Sequence, residues 1–156
     1  MKTLATLLLV CAAAGGGLFL YYIAQNMHLT ETLTAKNTKQ IKVGTTTIAA
    51  EVVDNQAARE KGLSGRTSLP EGSGMLFVFE HNGDWGIWMK DMQFPIDILF
   101  ISETGQVVSI NANVSPDTYP EAFYPPLAVR YVLELPAGYA KKQNITTQSR
   151  FDLSSI

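Results

Sequence analysis

Apolar residues fall into one long uninterrupted run at the start of the chain and then into short clusters separated by glycine, proline and asparagine. The long run, Leu4 to Ala24, carries no charged side chain, and as a helix it would extend about 31 Å, enough for a bilayer core. Lys2 and the amino terminus precede it and the long polar sequence follows, so the positive-inside tendency keeps the N-terminus cytoplasmic and places the rest outside. A cleaved signal peptide is the competing reading, because Ala12, Ala13 and Ala14 follow a short apolar stretch. Hydrophobicity resumes through Leu18 to Ile23, and Tyr21 and Tyr22 suit an interfacial belt, which favours a membrane anchor over residues 1–24. Residues 25–39 are polar, rich in Thr and Asn and without an apolar period, as a flexible linker would be. The folded domain is expected over residues 40–156.

Within that domain the short clusters predict strands. Gln40 to Val53 has β-branched residues on both sides of Gly44 and predicts a hairpin. Asp54 is a candidate N-cap for a short helix through NQAAREKGL, ended by Gly62 and Gly65. MLFVF (Met75 to Phe79) predicts a buried strand, and WGIWMK (Trp85 to Lys90) another. IDILFIS after Pro95, then Glu103, Thr104 and Gly105, then QVVSINANV, predict a second hairpin. Tyr131 to Leu135 adds a strand and AGYAKKQ a short helix. Between Val114 and Tyr131 lie Pro116, Pro120, Pro125 and Pro126 with Tyr119, Phe123 and Tyr124, a loop that serves either as a lid or as a stiff connection whose aromatics cover the core edge. Seven or so short strands and one or two short helices predict a mainly β, single compact antiparallel barrel or sandwich-like domain.

Charge and cysteine content narrow the possibilities. From Gln40 onward nine Lys and Arg face thirteen Asp and Glu, an acidic balance that argues against nucleic acid, whose phosphates demand a basic face. The one cysteine, Cys11, lies in the apolar N-terminal run, which removes intrachain disulfides, cysteine metal clusters and thiol catalysis from the domain. Lipidation of Cys11 is disfavoured by Val10, where a small residue is normal.

Candidate chemistry centres on Asp97. In IDILFIS it stands among apolar residues on both strand faces, so its carboxylate needs a partner, and Lys90, Arg66 and Arg59 are the nearest cations in sequence. One reading makes this a buried ion pair that sets strand register. The other gathers Arg66, Trp88, Lys90 and Asp97 around a ligand pocket, with the indole packing on the ligand and the cations supplying charge. Arg66, in a loop, is the better inward candidate; Arg59, beside Glu60 and Lys61, fits a solvated helix face. A hydrolase-like enzyme using Asp97 with Glu51 or Glu80 is an alternative, as is a structural envelope module without a ligand. No GxSxG elbow, HExxH helix or Walker loop supports catalysis, and no catalytic residue is assigned. Met75, Met89, Met92 and His81 could hold Cu(I), yet methionine in apolar strands is ordinary packing, so no metal and no cofactor is expected.

The segments VVDNQAAREKGLSGRTSLPEGSGMLFVFE, WMKDMQFPIDILFIS, the Gly105 turn with VVSI, and RYVLELPAG together resemble domain-of-unknown-function family 192, a bacterial and archaeal group of small, often exported domains. The resemblance covers most of Val52 to Gly138, and includes Arg59, Gly62, Leu63, Arg66, Gly74, Trp88, Lys90, Pro95 and Asp97. It implies a compact β-rich domain and brings no reaction or catalytic residues. Ser64 stands where methionine is frequent in the family, and Gln148 where glycine is frequent. The expected protein is therefore a membrane-tethered extracytoplasmic domain that binds a small polar molecule, a glycan fragment or a protein segment near Arg66, Trp88, Lys90 and Asp97.

Overall fold

The computed structural model describes residues 38–156; the predicted anchor and the predicted linker as far as residue 37 lie outside the described residues, and the linker's last two residues, Thr38 and Lys39, instead begin the first strand. Strand β1 (Thr38–Val43) turns at Gly44 into β2 (Thr46–Val53), which leads to helix α1 (Gln56–Lys61) and β3 (Ser73–Gly83). Then come β4 (Ile87–Trp88), β5 (Ile96–Ile101), β6 (Val107–Val114), β7 (Ala122–Phe123), β8 (Val129–Pro136) and helix α2 (Tyr139–Lys142). No described helix is long and apolar enough to cross a membrane.

Six strands form one sheet in the order β1-β2-β3-β8-β5-β6, and β4 pairs with β7 in a separate ribbon. The expected all-antiparallel architecture is corrected in one respect: β2 and β3 run parallel, from Ala49 opposite Ser73 to Val53 opposite Phe77, so the sheet is mixed. Parallel neighbours require a crossover, and residues 54–72 supply it with α1 at its start. That helix is capped by Asn55, whose side chain accepts from the Ala58 amide at 3.0 Å, rather than by Asp54. The strand predicted over Trp85 to Lys90 contracts to two residues, because its apolar side chains fill a loop layer instead of pairing with the main sheet.

Both sheet faces are covered, which explains why all six residues of β5 are buried and why its sequence reads as a continuous apolar run. One layer collects Ile41, Ile48, Leu76, Leu99, Leu133 and Leu135 under Tyr139, Ala140, Ile145 and Phe151. The other collects Met75, Phe77, Phe79, Ile98, Phe100 and Val132 under Leu63, Ile87 and Met89. Met75 and Met89 are thus core side chains, 2% and 1% exposed.

The sheet does not close into a barrel. Its two outer strands are instead joined at one end by the C-terminal segment: Gly44 N donates to Arg150 O at 2.8 Å, Asp152 N to Lys42 O at 2.8 Å, and Phe151 N to Gly105 O at 2.7 Å. Single bridges Val43–Phe151 and Gln106–Arg150 occupy the gap, so both edges are covered at that end. Gly105, at φ +82°, is required here twice over, for its left-handed turn and because a Cβ would collide with the Phe151 carbonyl.

Candidate functional site

Asp97 is fully buried, and its partners are three backbone amides. Oδ1 accepts from Asn113 N at 2.8 Å and Gly138 N at 2.9 Å, and Oδ2 accepts from Ala140 N at 2.9 Å. The expected pairing with Lys90, Arg66 or Arg59 is therefore corrected. Helix α2 begins where Asp97 needs donors, and its first amides, unsatisfied within so short a helix, converge on the carboxylate. Asp97 lies in the layer of Leu99 and Ile101, whereas Ile96, Ile98 and Phe100 point into the other. It is sealed from any substrate, which also removes the hydrolase reading built on it.

The opposite layer opens into a cleft of about 570 Å³ bounded by α1, the loop after it, β3 and β4. Its apolar walls are Leu63, Phe77, Phe79, Trp85, Ile87, Trp88 and Met92. Phe79 and Trp85 stack with centroids 4.2 Å apart and planes 5° from parallel. Trp88, 53% exposed, stands at the mouth and meets Tyr119 edge-on at 5.9 Å. Ser64 also lines the cleft, and its hydroxyl donates to Lys90 O at 2.8 Å, tying the loop after α1 to the exit of β4.

Glu134 completes the cleft. It sits on β8 between Met75 of β3 and Ile98 of β5, is 5% exposed, and its Oε2 finds no hydrogen-bond donor among the described residues. Burial in this apolar setting pushes its carboxyl up to about 8, against a smaller opposing pull from Arg66. Sequence reasoning overlooked this residue, although YVLEL carries the same signal as IDILFIS: one acid within an apolar strand. Two such acids look alike in sequence, and only the fold gives amides to one and none to the other.

Of the four predicted site residues, Trp88 lines the cleft and Lys90 lies over its ring at 5.9 Å. Arg66 is committed to Glu51, donating to its two carboxylate oxygens at 2.5 and 2.8 Å, and acts on Glu134 through charge alone. These hydrogen bonds hold Glu51 below the usual carboxylate range and raise Arg66. Asp97 is not brought to the cleft. Arg59, expected on a solvated face, lines it instead: its guanidinium donates to Val78 O at 2.9 Å and Glu80 at 2.8 Å and lies 5.2 Å from the Phe79 centroid.

Arg66→Met is expected to raise the titration midpoint of Glu134 further, since it deletes the cation that opposes burial. Carboxyl-carbon NMR across pH 6–10 would measure this, and an unchanged midpoint would count against any electrostatic link between the two.

The fold is a small mixed-sheet β domain with a cleft on one face lined by both aromatic and charged side chains. The chain belongs to the DUF192 family, described as an uncharacterized ACR, whose profile matches residues 38–153. A crystal structure from Sinorhizobium meliloti 1021, provisionally described as a transcription regulator, is 27% identical with a TM-score of 0.72, over 76% of this chain and 95% of that one. A protein of unknown function from Novosphingobium aromaticivorans DSM 12444 is 24% identical with a TM-score of 0.70, over 74% of this chain and 84% of its own, and shows likeness of fold alone. No curated protein matches the chain.

Proposed function

We propose that this domain is a binding module that receives a small molecule with an apolar or aromatic body in the cleft of α1, β3 and β4, and that residues 1–24 tether it to a membrane with the domain outside the cytoplasm. The observation that carries the binding reading is Glu134, a buried carboxyl whose Oε2 has no donor, at a cleft with aromatic and aliphatic walls and a charged rim that includes Arg59, Glu60, Lys61 and Glu80. Such a group lowers the stability of the folded chain unless something meets it, and a cleft of about 570 Å³ lies in the range used for small ligands. Apolar walls favour a small molecule over a glycan fragment. The confined volume favours it over a protein segment. The transcription-regulator description attached to the Sinorhizobium structure comes with no sign of nucleic-acid binding in this chain, whose acidic balance from residue 40 onward disfavours a phosphate-backbone partner.

The chain has two tryptophans, Trp85 and Trp88, and both line the cleft, so intrinsic fluorescence reports its occupancy directly. Titration of the full-length protein in detergent with a panel of small amphipathic compounds is expected to yield saturable quenching or a shift of emission. Trp88→Ala, at an exposed position that leaves the core intact, should weaken that binding roughly tenfold while barely moving the unfolding midpoint. Thermal unfolding of the same samples gives an independent readout through mass action. If no compound perturbs either signal, a structural module without a ligand becomes the better description. Protease protection of the domain in spheroplasts, whose inner membrane is intact, would contradict the proposed orientation.

A further inference from the structure

Once Glu134 is ionised, the charges around the cleft do not balance. Among the titratable side chains that line it, Arg59 and Lys61 are cations and Glu60, Glu80 and Glu134 are acids. Arg59 is already engaged by both carboxylate oxygens of Glu80 and by Val78 O, and nearby Arg66 is engaged by Glu51. The surplus acid is Glu134, the one whose Oε2 lacks a donor. The apolar wall is also a wall of aromatic rings, whose faces attract cations. Two of those rings demonstrate it within the protein: Arg59 lies over Phe79 and Lys90 over Trp88.

We infer that the ligand of this cleft carries a primary ammonium group, which donates hydrogen bonds to the Glu134 carboxylate while its apolar body packs on the aromatic wall. This rests on the cleft being a binding site, as proposed above, and adds the chemical class. A quaternary ammonium would bring charge but no N–H for Oε2, and an anionic group would hold Glu134 protonated and so bind more tightly as pH falls, the opposite of an amine. A neutral hydroxyl would satisfy Oε2 without balancing its charge.

An ammonium requires Glu134 to be ionised, so at neutral pH binding expels a proton, which is the linkage that makes this class distinguishable from others. Affinity for an amine should rise about tenfold per pH unit below the Glu134 midpoint and level off above it. The groups facing Glu134 from each neighbouring element do not mimic this. Glu51 on β2 and Glu80 on β3 are held below the usual carboxylate range, and Arg66 is held above its own ordinary value. Helix α1 presents Arg59, Glu60 and Lys61; from β5 the neighbour is Ile98, with Asp97 facing the other layer. His81, 5.1 Å from Trp85, is removed as a contributor by repeating the series in His81→Asn.

The test is fluorescence and calorimetric titration of the full-length protein with benzylamine, phenethylamine and hexylamine against benzyl alcohol, phenethyl alcohol and hexanol, from pH 6 to 8.5. The amines should bind at least about tenfold more tightly than the matching alcohols at pH 8, with affinity rising with pH, and Glu134→Gln should abolish both the preference and the slope. Alcohols binding as well as amines, or affinity falling as pH rises, would overturn the ammonium assignment and leave the cleft as a site for a neutral acceptor. Failure of all six compounds overturns the assignment too, and if the broad amphipathic panel also fails, the binding reading falls with it.

Discussion

Asp97→Asn is expected to lower the stability of the domain by about 3–5 kcal/mol in chemical denaturation, and to do so without altering binding in the cleft. The carboxylate accepts three amide hydrogen bonds from two connections, one at the end of β6 and one at the start of α2. Asparagine keeps one acceptor oxygen and turns an NH2 group toward an N–H that has no other partner. At a position with no solvent access that arrangement is repulsive, and water cannot relieve it. Asp97→Ala should cost a similar amount by leaving all three amides unpaired. Because Asp97 lies in the layer opposite Glu134, the folded fraction of either variant should quench with the same midpoint as wild type. A destabilisation below about 1 kcal/mol would mean that the three amides find other partners and that Asp97 does not anchor α2.

Glu134→Met is the second large effect, and its sign is the reverse. At pH 9 this variant is expected to be more stable than wild type by about 3–5 kcal/mol, while losing the amine preference of the cleft. Displacement of the Glu134 carboxyl from its ordinary 4.5 to about 8 corresponds to about 5 kcal/mol of penalty for the ionised form, and imperfect packing of the thioether offsets part of the gain. The folded state holds this proton more tightly than the unfolded chain does, so between about pH 4.5 and 8 it binds more protons. Stability therefore falls as pH rises through that window and is flat above it. Glu51 works in the other direction: its carboxyl is lowered by the Arg66 hydrogen bonds, so its contribution is present above its ordinary 4.5 and is lost as pH falls below that. Between pH 5 and 8 the downward slope should belong to Glu134, and Glu134→Gln, which cannot titrate, should remove it. Urea denaturation of wild type and both variants at several pH values checks this; parallel curves for all three would show that Glu134 is not held neutral by burial.

The strand clusters were legible because each is short, apolar or alternating, and bounded by residues that punctuate backbone structure. IKV and TTIAAEVV flank Gly44 and become β1 and β2, and IDILFI and VVSINANV flank the Gly105 turn and become β5 and β6. Partner and direction were less legible. The parallel pairing of β2 with β3 follows from where the crossover lands, and residues 54–72 carry only one short helix to announce it. Asp54 and Asn55 are equally good caps by residue type, and the choice fell to Asn55 through local geometry. WGIWMK has strand-like composition, yet only Ile87 and Trp88 pair, and they do so with Ala122 and Phe123 rather than with the main sheet.

The site was partly legible for a related reason. Trp88 and Lys90 stand out in the sequence by residue type, and the fold places the Lys90 ammonium over the Trp88 ring, with Trp88 on the cleft lining. Arg66, expected to reach inward to Asp97, pairs instead with Glu51 on β2, both side chains being partly exposed. Arg59 was assigned to solvent from its charged neighbours along the helix; the turn of α1 points its guanidinium across β3 to Glu80.

By itself the sequence determined that residues from about 40 onward form one mainly β domain of family 192 type, with an acidic balance, no disulfide, and two acids placed inside apolar strands. These are consequences of local composition and period, which each segment carries independently of the rest. Only the tertiary structure decided what those two acids do. Asp97 and Glu134 stand on adjacent, paired strands and point to opposite faces of the same sheet, one toward the free amides of α2 and the other into an apolar recess without a donor. The cost of burying a carboxylate depends on what lies within about 3 Å of its oxygens, and those neighbours come from segments distant in sequence.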